Sequence, residues 1–208
     1  VARRESLLAG GTTGNELLTA VTGAVLIVLL AALGITIIRI GSLLWEHLFI
    51  GLLLVGPLVL KLASTGYRFV RYYTRDAVYV EHGPPPLPLR LLAPMVVLST
   101  LVVFVTGLIL LFGGPRTRAT WFPIHKDSFF VWLAFTAVHV LGHLPQVGHS
   151  LRADYGPAIE REDYGAPGRS GRAIALASAI VLGLVLAVVL IPDFGAWIHA
   201  QPDFHHHH

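Results

Sequence analysis

HKDSFFVWLAFTAVHVLGHL, residues 125–144, is an apolar stretch long enough to cross a lipid bilayer, yet it holds three histidines. His125 and His139 stand fourteen positions apart. Fourteen residues make close to four helical turns, so both rings point to one side of a helix, about 21 Å apart along its axis. His143 follows one turn after His139 on the same face. A second apolar stretch opens with Trp45-Glu46-His47, and fourteen positions on from His47 stands Lys61. Ionisable side chains are costly in hydrocarbon and mark a pathway or a cofactor there.

Working outward, the rest of the chain has the same character. Of 208 residues 54% are hydrophobic and 13% charged, with a mean hydropathy of +0.69. A water-soluble domain carries about 25% charged residues, so the chain is read as an integral membrane protein of the all-α class. Five segments reach spanning length: about Glu16 to Ile38, Leu43 to Ala63, Leu91 to Phe112, His125 to Leu144 and Arg172 to Ile191. Glycines within them, Gly51 and Gly56 among them, allow helices to approach closely. No signal-peptide cleavage pattern stands near the N-terminus. The absence of cysteine excludes disulfides, thiolate-bound metals and iron–sulfur clusters. Nothing points to nucleic acid. Residues 1–204 read as one transmembrane domain, and His205 to His208 as the remnant of a purification tag.

Lysine and arginine in the flanks give a direction. Ten arginines fall on one side, among them Arg3, Arg4, Arg68, Arg71 and Arg172, against Arg39, Arg116, Arg118 and Lys126 on the other. The N-terminus is therefore expected in the cytoplasm and the C-terminus outside, in a bacterial-type cell membrane. Helices two and four then run the same way. His47 and His125 share a level near the outer surface, and Lys61 and His139 share one in the inner half. Two cytoplasmic loops are expected, from Ser64 to Arg90 and from Pro145 to Gly171. The first carries a basic aromatic run through Tyr67, Arg68, Arg71, Tyr72 and Tyr73, suited to lipid headgroups, and then the helix-breaking Pro84-Pro85-Pro86. Trp45, Trp121 and Trp197 read as interface anchors, and the first and fifth helices as shields for the bundle.

A haem clamped between two helices needs one imidazole from each, facing at equal depth. His47 and His125 meet the depth condition. Gly51, one turn from His47, would let a porphyrin lie against its helix. Arg116, Arg118 and Lys126 stand where haem propionates would emerge. The competing reading makes the two histidines water-bonded residues at helix ends. His139 lies deeper, and either it or His143 is a ligand for a second iron. Its competing reading is a neutral histidine bonded to a neighbouring hydroxyl. Lys61 stands where the second imidazole is expected. It can ligate iron through a neutral amine, snorkel to a propionate, or mark a site with no second haem. Phe129 and Trp132 share the histidine face, and packing between helices is their ordinary use. His82, His149 and His199 read as surface residues.

With Trp45-Glu46-His47 through Lys61 and His125 through His139 and His143 in view, the chain resembles the small diheme cytochrome b proteins, including bacterial cytochrome b/b6-like and ferric-reductase-like membrane domains. The likeness covers about residues 43–145. It implies a four-helix haem-binding core within the five-helix bundle and b-type haem, two groups or at least one. His47, His125 and His139 would be axial ligands, and Lys61 departs from the pattern. No flavin or nicotinamide motif is found, and no catalytic residue is assigned.

The expected function is an electron-carrying b-type cytochrome, or the membrane subunit of an oxidoreductase. Its donor and acceptor would come from a quinol, a flavoprotein or an outer-face oxidoreductase, within an oligomer or a larger complex. Two other classes stay open. One is a stand-alone reductase of ferric iron or another oxidant at the outer face. The other is a haem-free transporter or anchor with a Lys61, His139 and His143 relay.

Overall fold

A computed structural model describes residues 11–81, 87–155 and 167–199. Every described element is helical. They are α1 (Gly11–Ile38), α2 (Leu44–Leu53), α3 (Val55–Tyr73), α4 (Ala77–Glu81), α5 (Leu87–Gly113), a 3-10 turn (Pro115–Thr117), α6 (Arg118–Tyr155), α7 (Arg169–Val189) and α8 (Ile191–Ile198). Five stretches are long and apolar enough to cross a membrane: Gly11–Ile38, Leu44–Tyr73, Arg90–Gly113, Pro115–Leu144 and Arg169–Val189. Large apolar side chains stay exposed along them, Val28, Leu141 and Leu182 each by about two thirds, as lipid-facing surface requires.

The second span is interrupted at Leu54 by Pro57. Proline lacks the N–H that would bond the Leu53 carbonyl, while the neighbouring bonds Leu54 to Ile50 and Leu58 to Leu54 are kept. The freed carbonyl is covered by α7. A methyl group on Gly183 would stand 2.2 Å from it, and one on Gly56 would stand 1.9 Å from the Ala179 carbonyl. Only glycine at both positions permits this crossing, so the fifth span is seated on the second.

The first span packs against the second and the fourth, and the third packs against the fourth. Hydrogen bonds pair Asn15 and Thr19 with Ser64 at one end of the first two spans and Thr36 with His47 at the other. The falling partner numbers make these spans antiparallel. Thr106 with His125 and Thr100 with Trp132 do the same for the third and fourth. An apolar plug of Leu52, Leu111, Ala187 and Phe194 joins α2, α5, α7 and α8.

The helices overrun the expected loops. The second span continues to Tyr73, because the polar residues beyond Ala63 include no helix breaker stronger than Gly66. It ends where Arg75 turns left-handed (φ 58°) and Asp76 accepts a bond from the Val78 N–H at the start of α4. Arg71 pairs with Asp76 and lies over the rings of Tyr67 and Tyr79 at 5.9 and 5.8 Å. The fourth helix runs 38 residues, about 57 Å, and therefore projects beyond the hydrocarbon at one end or both. The proline run, His82 and residues 156–166 of the second expected loop lie outside the described residues.

Two roles change as well. Trp197, expected at the interface, is only 9% exposed and donates its indole N–H to the Leu110 carbonyl at 2.9 Å. The first helix is more than a shield, since it supplies hydroxyl and carbonyl partners to two residues of the second span.

Candidate functional site

His47 lies in α2, with its Nδ1 3.0 Å from Thr36 Oγ1 of α1. The threonine hydroxyl has one proton, and it is directed at the Leu33 carbonyl at 2.6 Å. At Nδ1 the hydroxyl oxygen is therefore the acceptor, and the ring N–H donates. A neutral imidazole with its proton on Nδ1 has a free lone pair on Nε2, the state a metal requires.

His125, on α6, repeats the arrangement. Its Nδ1 is 2.9 Å from Thr106 Oγ1 of α5. The Thr106 proton is directed at the Val102 carbonyl at 2.8 Å, with the Val103 carbonyl at 3.0 Å. Gly107 makes room for the ring, since a methyl group there would stand 3.2 Å from its Cε1. Thr36 and Thr106 are both about 4% exposed. Two histidines on different helices are thus oriented by buried threonines in the same way.

Fourteen residues further along both helices stand Lys61 and His139, each partly buried. His139 stacks obliquely on His143, ring centroids 4.7 Å apart. Its Nδ1 is buried with no hydrogen-bond partner, and so is Thr136 Oγ1 about one turn earlier. Lys61 Nζ donates to the Thr19 carbonyl of α1 at 2.7 Å. Around it Asn15 donates to the Ser64 carbonyl at 3.0 Å, Thr19 bonds Ser64 at 2.9 Å, and Arg68 pairs with Glu16 at 2.9 Å.

The second and fourth spans share no substantial packing interface; each leans on the first. Two spans that meet mainly through the first leave width between them for a flat group. Gly51 agrees, because a methyl group there would meet nothing within 4 Å. The orphaned nitrogen of His139 is Nδ1, so His139 lacks the orienting partner that His47 and His125 have. Among the described residues no three His, Asp or Glu side chains converge. These features fit haem. Arg116, Arg118 and Lys126 are exposed at the end of the bundle near His125, with Arg118 5.7 Å from the Phe122 ring centre. Trp132 turns its N–H to Thr100 of α5 at 3.0 Å, and Phe129 packs beside it, ring centres 5.8 Å apart.

Sequence reasoning took Gly107 only as a glycine that allows close approach, and passed over Thr36, Thr106 and the polar seam of Asn15, Thr19 and Ser64. Threonine is common in membrane helices, where its hydroxyl bonds its own backbone. Only three-dimensional placement reveals its second bond to a histidine. No family model, curated protein or solved structure matches the chain.

Proposed function

We propose that this chain is a membrane-embedded b-type cytochrome of the diheme kind, carrying electrons between the two faces of the bilayer. The observation that carries the reading is the matched pair His47 and His125. Each is held with Nδ1 as a donor to a buried threonine, and so with Nε2 available. These two would hold one haem b near the arginine-poor face. His139, with His143 beside it, would serve a second in the other half. Haem, when bound, supplies the one-electron couple. The chain's own residues orient the imidazoles, keep water out with an apolar shell, and offer Arg116, Arg118 and Lys126 to the propionates.

By the distribution of arginine, the His47 end faces outward and the N-terminus is cytoplasmic. A quinol, a flavoprotein or an outer-face oxidoreductase would complete the electron path, within an oligomer or a larger complex.

The test is a pyridine haemochrome assay on the purified chain, supplied with ample haem during expression. We expect two haems per chain, and one after His125→Ala. A protein without a Soret band removes the reading. The seam of Glu16, Arg68, Asn15, Ser64 and Lys61 favours one rival, a haem-free ion or proton relay. A colourless protein that dissipates a proton gradient in vesicles would establish that rival.

A further inference from the structure

We propose that the arginine-rich end of the second span carries a seat for the headgroup of an anionic phospholipid, built on Arg75 and Arg90. The seat involves no haem. It begins with a braced turn at the end of α3. Arg71 pairs with Asp76 and lies over the rings of Tyr67 and Tyr79, which meet edge to face with centres 6.1 Å apart. The Thr74 hydroxyl donates to the Arg71 carbonyl at 3.2 Å, and the Val78 N–H donates to Asp76 at 3.2 Å. Inside this turn stands Arg75, the only residue other than glycine with a left-handed backbone among the described residues. Glycine or asparagine takes that conformation at less cost. A long cationic side chain held there, at a price in strain, has a use of its own. Arg75 lines an open cleft of about 520 Å³ with Tyr72, Tyr73, Ala77 and Val80. Arg90, from the start of α5, donates to the Tyr73 hydroxyl, and its guanidinium lies 5.8 Å from the centre of that ring.

Charge and position together choose the occupant. The acids with described side chains at this end, Glu16 and Asp76, are paired with Arg68 and Arg71. Arg75 and Arg90 are exposed and meet no carboxylate among the described residues. An arginine fork matches the oxygens of a phosphate. Tyr73 accepts from Arg90 and keeps its own proton to give to such an oxygen. Arg90 also opens the third span, so the cleft stands where hydrocarbon gives way to water. Apolar surface adjoins it there. Leu91, next to Arg90, is 65% exposed, and Phe69, its ring centre 4.4 Å from that of Tyr73, is 62% exposed. A phosphate with acyl chains uses both the arginines and this flank, whereas a soluble phosphate uses only the arginines. A zwitterionic headgroup brings its own cation and gains less from Arg75 and Arg90.

The experiment titrates the full chain in detergent with phosphatidylglycerol and with phosphatidylcholine, and counts bound lipid by native mass spectrometry. We expect one phosphatidylglycerol to be held more tightly than phosphatidylcholine, by about fivefold for each of the two arginines, the weight of one cation near an anionic surface. Arg75→Gly, which also relieves the left-handed turn, should keep the thermal stability and weaken that lipid about fivefold; Arg90→Gln should weaken it equally. Arg39→Gln, at an exposed arginine of the opposite end, should leave it unchanged. Equal affinity for the two lipids, or an equal loss in Arg39→Gln and Arg75→Gly, would overturn the inference. Displacement of the lipid by an equal concentration of glycerol phosphate would overturn it too, since the site would then take a soluble phosphate. So would a polyglutamate peptide that binds through the same two arginines more tightly than the lipid, which would make the cleft a protein-docking surface.

Discussion

Two threonines decide what two histidines can do. Thr36 and Thr106 each hold a ring by Nδ1, and each spends its own proton on its helix backbone. Replacing either by valine keeps the volume but leaves a buried N–H without an acceptor, a cost of about 1–3 kcal/mol. Loss of such an orienting partner lowers metal affinity about 10–100-fold. We expect Thr106→Val to lose haem from the arginine-poor half on dilution or gel filtration, and Thr106→Ser to keep it. If Thr106→Val retains haem as the unmodified chain does, the tautomer argument fails. The histidine spacing was legible in the sequence because a fourteen-residue period has one geometric meaning on a helix. The threonines were not, since a hydroxyl one turn from its own carbonyl is ordinary in a membrane helix. The partner of Lys61 was still less legible, being a backbone carbonyl that any residue could have supplied.

Among the elements, five spans were readable from hydropathy and their ends were not. Hydropathy reports which residues suit lipid, whereas a helix ends only where its backbone turns, as at Arg75. The expected boundary after Ala63 marks the edge of the apolar run, not of the helix. The pairing of spans was hidden too, because it rests on single glycines. Gly56→Ala and Gly183→Ala each place a methyl group inside a carbonyl contact of the other helix. Each should destabilise the protein by about 1–3 kcal/mol or more as the helices part. Gly66→Ala is the control. It meets nothing within 4 Å and should leave stability unchanged or raise it by up to about 1 kcal/mol. Thermal unfolding in one detergent compares all three, and equal behaviour would refute the close crossing.

For the whole molecule, the proposed reading has five crossings, which set Gly11 and His199 on opposite faces of the bilayer. The excess of arginine predicts which face is which. An enzyme reporter that works only outside the cytoplasm should be active when fused after His199 and silent when fused before Gly11; the reverse result would invert every assignment of inner and outer. The seat of α7 on the second span has a consequence for how the protein is made. Pro57 strips the Leu53 carbonyl of its partner, and the cover for that carbonyl comes from Gly183, on the last of the five spans to leave the ribosome. Until then the second span carries a bare polar group in lipid, which costs several kcal/mol. Biogenesis should therefore be completed from the C-terminal end. A chain stopped at Tyr155 should insert and then be degraded quickly in a pulse-chase experiment, and supplying residues 167–199 as a separate polypeptide should lengthen its lifetime.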